Sequence, residues 1–213
     1  YLYVNRLYSM NISQKLITSM KQLYEKKLIT LRDGNISFKP KNKDYFYITA
    51  GSVAKNNMIP NQILKVYFNK ENVYYNEDSY YKPSRELNIH YYIQRQNNYY
   101  LHDTFVVHTH PPNAVAYMGL NEDNIELSTI QQYFPEMNVG CIGKNVPFLH
   151  AGTDILAKSC ESQLYPPFTM VGMKQHGTLC VGKNINEIIE HIETLEFYLD
   201  IYFRSSCINI YNK

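Results

Sequence analysis

The run Thr104-Phe-Val-Val-His-Thr-His-Pro-Pro112 carries the reading of this chain. Threonine, phenylalanine and valine suit a pleated strand, along which side chains alternate between faces. His108 and His110 therefore share a face, roughly 7 Å apart along the backbone, and Thr109 points away. Two imidazoles at that separation can converge on one ion at about 2.0–2.1 Å each. A pair of histidines at an exposed strand end fits the same residues. Pro111 and Pro112 stop the strand, and proline suits the first turn of a helix, expected over 113–118.

Outward from this run the chain alternates between the two periodicities. Apolar residues Ile12, Leu16, Ile17, Met20, Leu23, Tyr24 and Leu28 recur at three and four, predicting a helix over 11–29. Strands are expected at 36–38 and 45–49 around a basic loop, at 63–69, and at 73–75. A helix is expected over 84–96, with Ser84 as its N-cap. A short strand is expected at 146–149, a helix from Gly152-Thr153-Asp154 through 162, and strands at 168–174 and 178–181. The stripe Ile188, Ile189, Ile192, Leu195, Leu199 and Ile201 predicts a helix over 186–204. No linker or repeat interrupts this order. It implies one α/β domain over 1–213, a central, mostly antiparallel sheet flanked by helices.

The composition agrees. Of 213 residues 45% are hydrophobic and 19% charged, which excludes a disordered polyelectrolyte. A net charge of +2 argues against a dedicated nucleic-acid binder. No apolar run approaches the roughly 20 residues of a membrane span. The first ten residues show no signal-peptide pattern, so a cytoplasmic location is expected. The four cysteines form no CxxC pair and read as free thiols.

His176, followed by Gly177 after a β-rich run, is the natural third partner for His108 and His110. Three neutral imidazoles make a borderline-soft donor set with an open position, as a catalytic zinc requires. His90 and His191 read as ordinary helix residues. Lys82-Pro83-Ser84-Arg85-Glu86 reads as a helix entry that suits an anion at its N–H groups, or as an ordinary capped helix. Gly34-Asn35-Ile36-Ser37 and Thr49-Ala50-Gly51-Ser52 are small polar turns that can present backbone N–H groups to an anion.

In order and spacing these segments resemble the class II aldolase and adducin-head family. The likeness rests on Gly34-Asn35-x-Ser37, Thr49-x-Gly51, Lys82-Pro83-Ser84-x-Glu86, His108-x-His110-Pro111, Gln175-His176-Gly177 and the long final helix. It implies a homotetramer with a divalent ion, usually zinc, on His108, His110 and His176. It implies Glu86 as the acid/base carboxylate and places Asn35, Gly51 and Ser84 in a phosphate pocket, where Arg85 would add a charge. The substrate class it implies is a small phosphorylated sugar. The ion would stabilise an enediolate as a carbon–carbon bond breaks or a proton leaves. Glu86, rather than the aspartate typical of the epimerase branch, favours aldolase chemistry. Dehydration by the same scaffold stays open, as does a vestigial adducin-like module, although adducin heads generally lack the histidines. Arg85 and Ala50 replace hydroxyl residues found in fuculose-phosphate aldolases, which implies a changed phosphate pocket. Tyr133 is the candidate for a catalytic tyrosine donated across a subunit contact.

Overall fold

The computed structural model describes residues 2–119 and 125–211. Seven strands form one sheet: β1 (Asn35–Lys39), β2 (Tyr45–Thr49), β3 (Ile63–Phe68), β4 (Val73–Tyr75), β5 (Thr104–Thr109), β6 (Met170–Met173) and β7 (Gly177–Gly182). Their order across the sheet is β4-β3-β2-β1-β5-β7-β6, and every neighbouring pair is antiparallel. The central strands are buried along their length, apart from Gly182 at the end of β7, so both faces must be covered.

Alternation assigns the faces. Ile36, Phe38, Phe105, Val107 and Cys180 join one core with Leu16 and Met20 of α1 (Leu2–Glu25), Ala114 and Tyr117 of α4 (Pro112–Gly119), and the stripe of α7 (Ile185–Tyr211). Val106, Leu179 and Val181 point the other way, under α2 (Leu87–Gln94) and α6 (Asp154–Gln163). Two short helices, α3 (Asn97–Tyr100) and α5 (Ile130–Tyr133), lie in the connections. Asn35 and Ser37 are offset by one residue from Ile36 and Phe38 and so sit on the α2 side. Asn35 pairs directly with His108. The site is set by this register, because a slip of one residue would turn both side chains into the opposite core.

Several boundaries differ from those expected. The first helix stops at Glu25, because Lys27 takes a left-handed φ of 60°. Lys27 N–H then donates to Tyr24 O and Leu28 N–H to Leu23 O, closing the helix in a Schellman arrangement with Leu28 buried beneath it. The strand expected at 146–149 reduces to one parallel bridge between Val146 and Met173. The helix expected from Ser84 begins at Leu87 with Glu86 in the cap position, and no side chain caps it. Ser84 Oγ instead accepts from Glu86 N–H at 3.3 Å and from Asn35.

One tie binds α4 to α7 on the first face. Glu196 of α7 accepts from the free N–H groups of Asn113 and Ala114 at 2.8 and 3.1 Å. It caps the helix that starts immediately after His110 and Pro111, where orphan amides need an acceptor.

Candidate metal centre and its carboxylate

The strand end and the β6–β7 turn bring the three histidines together. His108 and His110 leave β5 on the α2 face, and His176 closes the hairpin beside Gly177. One ring nitrogen from each of His108, His110 and His176 lies within 4.8 Å of the other two. Gly177 is required for this approach. A Cβ there would stand 2.1 Å from Thr109 O and 2.9 Å from His110 Cδ2.

Outer partners orient the rings. His108 Nδ1 donates to Thr178 O at 2.9 Å, which leaves its Nε2 as a lone pair. Asp33 Oδ2 lies 3.4 Å from His110 Nδ1 and accepts from Thr30 Oγ at 2.6 Å, while Asp33 Oδ1 accepts from Thr30 N–H at 2.5 Å. With both Nδ1 atoms protonated, the Nε2 atoms of His108 and His110 face each other 2.7 Å apart. Two lone pairs at that distance repel unless a cation lies between them. A proton is poorly suited. Burial holds the His108 imidazole below its ordinary range and pushes His110 down to about 4, with the neighbouring His108 adding to that effect. Three converging imidazoles, one held by the Thr178 carbonyl and one facing the Asp33 carboxylate, fit a divalent transition metal.

Glu86 completes the array from the first turn before α2. Its Oε2 lies 3.2 Å from His108 Nε2 and its Oε1 lies 3.0 Å from His176 Nε2. Oε1 is buried, and its contact with His176 Nε2 is an ion pair rather than a well-aligned hydrogen bond. Burial would raise this carboxyl. The His108 and His176 rings, whenever they carry a proton, and the Asn35 amide together outweigh burial and hold it well below the usual carboxylate range. The carboxylate is thus ionised beside the point where the imidazoles converge.

A model of the class II aldolase and adducin N-terminal domain matches residues 14–203. The chain belongs to the class II aldolase and adducin family. This family member is 23% identical over 187 residues to a methylthioribulose-1-phosphate dehydratase of Sulfurihydrogenibium sp. (strain YO3AOP1), covering 84% of this chain and 83% of that protein. Its fold matches a sugar-phosphate aldolase from Thermotoga maritima at a TM-score of 0.76, with 21% identity over 94% of this chain and 97% of that one. An L-fuculose 1-phosphate aldolase matches at a TM-score of 0.71, with 21% identity over 93% and 87%.

In this class II aldolase-family domain the remaining expected residues divide. Asn35 and Ser84 adjoin Glu86, since Asn35 Nδ2 donates to Glu86 Oε2 at 2.9 Å and to Ser84 Oγ at 3.0 Å. Gly51 packs against Pro83 and Ser84, and a Cβ there would meet Pro83 O at 3.1 Å. Its N–H donates to Lys82 O at 3.0 Å, so this amide is committed rather than open to an anion as expected. Arg85 is exposed at the same corner. Tyr133 is also exposed. Its ring packs against Tyr202, and no described interaction joins it to the histidines or Glu86.

Three participants were not read from the sequence: Asp33, the Thr178 carbonyl, and His90, a buried ring hydrogen-bonded to Asn35. The signal for His90 was present. Glu86, His90 and Gln94 are spaced by four on one helix face, above Asn35 and Ser37, spaced by two on one strand face. Among the described residues no helix is long and apolar enough to cross a membrane. Cys160 and Cys180 are buried free thiols, while Cys141 and Cys207 are exposed.

Proposed function

We propose that the chain is a metal-dependent lyase that cleaves a small phosphorylated ketose to dihydroxyacetone phosphate and an aldehyde. The carrying observation is Glu86, an ionised carboxylate at 3.0 and 3.2 Å from two imidazoles of a metal-competent trio. His108, His110 and His176 would hold the ion, with zinc the choice that suits a three-imidazole set. When bound, that ion supplies Lewis-acid stabilisation of negative charge on the substrate's carbonyl oxygen.

The chain's own residues supply the rest. Glu86 takes the proton from the substrate hydroxyl as the carbon–carbon bond opens, and returns it to the new carbanionic carbon. Asn35 holds Glu86 Oε2 in place through its amide N–H, leaving Oε1 free for the proton. Thr178 O and Asp33 keep the protons of His108 and His110 on their outer nitrogens. Ser84 and Arg85 sit at the exposed corner beside Glu86, and we place the substrate phosphate there, against the Gly51 turn. The same reading includes a homotetramer, Tyr133 acting on a neighbouring subunit's substrate, and a cytoplasmic setting.

A second reading, dehydration of a sugar phosphate, is favoured by the relative named as a dehydratase. The test is a coupled assay for dihydroxyacetone phosphate with zinc-loaded protein and a panel of ketose 1-phosphates, beside Glu86→Gln. Product from the wild type and none from the variant supports the lyase. Loss of water without carbon–carbon cleavage supports the dehydratase.

A further inference from the structure

Resting on the reading of Glu86 as the acid/base group, we propose that His90 is a positioning residue for it. Its imidazole locks the Asn35 amide so that the nitrogen end, and not the oxygen, faces the carboxylate.

The argument follows a buried chain of hydrogen bonds in which valence decides each link. Thr104 O is a carbonyl and can only accept, so the Gln94 side chain must turn its nitrogen toward it, at 3.2 Å. The same nitrogen donates to Ser37 Oγ at 3.0 Å. Ser37 has one proton, and its other partner is His90 Nδ1 at 2.7 Å, so Ser37 donates there. A neutral imidazole that accepts at Nδ1 carries its proton on Nε2. That proton points at Asn35 Oδ1, the hydrogen-bonded partner of His90 Nε2. With its oxygen engaged, Asn35 presents Nδ2 to Glu86 Oε2 and Ser84 Oγ.

The sequence of donors ends at a carboxylate, which can only accept, so the chain is consistent from end to end. Every member is buried: Ser37, His90 and Gln94 at 0%, Thr104 at 1%, Asn35 at 3% and Glu86 at 8% exposure. Aligned donors in such surroundings polarise one another and hold one orientation. The opposite tautomer would leave the Ser37 proton without an acceptor and set two lone pairs together at Asn35. Flipping the Asn35 amide to relieve this would aim its oxygen at Glu86 from 2.9 Å. His90 is therefore built to forbid that flip.

The first arm of the test is long-range 1H–15N NMR of the zinc-loaded protein at neutral pH. A neutral His90 protonated on Nε2 is expected, and a proton on Nδ1 overturns the proposal. The second arm compares His90→Leu with His90→Gln, whose amide nitrogen reaches the level of Nε2. Both should keep full zinc content. The readout is solvent-deuterium exchange into dihydroxyacetone phosphate. His90→Leu should lose about tenfold or more in the saturated rate, as for a lost hydrogen bond to a charged group's partner. Its half-saturating concentration should stay within about threefold, and His90→Gln should recover most of the rate. An unchanged rate in His90→Leu, or equal losses in both variants, overturns the proposal. Absence of exchange in the wild type counts against the reaction assigned to Glu86, and the NMR arm then decides the positioning alone.

Discussion

Gly177→Ala is the smallest change that should dismantle the histidine trio. The added methyl would lie 2.1 Å from Thr109 O, 2.9 Å from His110 Cδ2 and 3.2 Å from His108 Cε1. Carbon meets a carbonyl oxygen at about 3.3 Å at closest. The start of β7 would therefore have to retreat from β5 by about 1 Å. His176 precedes Gly177 and moves with it, while His108 and His110 belong to the opposing strand end. A metal bond tolerates about 0.2 Å, so the trio could not follow. Overpacking costs about 1–3 kcal/mol, and a backbone clash on this scale should reach the upper end. Zinc affinity should fall at least about 100-fold, the upper end for disturbing an outer partner alone. Competition with a chromogenic chelator reads the affinity, and thermal melting of the metal-free protein reads the fold. Gly119→Ala is the control, because nothing lies within 4 Å of its Cβ position. Zinc affinity within about threefold of wild type, with an unshifted melt, would refute the packing argument.

Two further outcomes follow from the outer partners and the buried imidazole. Asp33→Asn removes the charge facing His110 Nδ1 and should lower zinc affinity about 10–100-fold in the same competition; equal affinity would remove Asp33 from the site. His90 stays neutral in the folded chain down to about pH 3, because burial outweighs the opposing pull of Glu86, whereas it ordinarily takes up a proton near 6.5. Protons then favour the unfolded chain, so this contribution is intact above pH 6.5 and is lost as pH falls toward 3. Denaturant unfolding of the metal-free protein between pH 7 and 4.5 should show a loss shallower by up to about 1.4 kcal/mol per pH unit in His90→Gln, and parallel curves would contradict this.

Where periodicity acts within one element, the sequence was informative. The alternation in Thr104–Thr109 and the stripe from Ile188 to Leu199 each predict an element that the structure contains. The trio was legible because two of its members share a strand face and the third stands beside a glycine that a close approach demands. Boundaries failed where a side chain had a second use. Ser84 has the chemistry of a helix cap, yet its hydroxyl serves Asn35 and Glu86. Val146 has the residue type of a strand, but a single bridge is all its neighbours allow. Asp33, the Thr178 carbonyl and His90 escaped because their roles depend on contacts between distant elements. The partner of His90 is 55 residues away, across the gap between a helix and the sheet beneath it. The spacing of Glu86, His90 and Gln94 marks a polar helix face, but nothing local says that the face is buried.

The carboxylate of Glu196, grasping the first amides of α4, gives the longest helix a handle on the histidine end of β5. Only Pro111 and Pro112 separate that handle from His110, and prolines hold the chain direction fixed. The three parts behave as a bell crank, with a stiff arm, a short rigid corner and a working tip. A tilt of α7 would arrive at His110 as a displacement rather than dissipate in a loop.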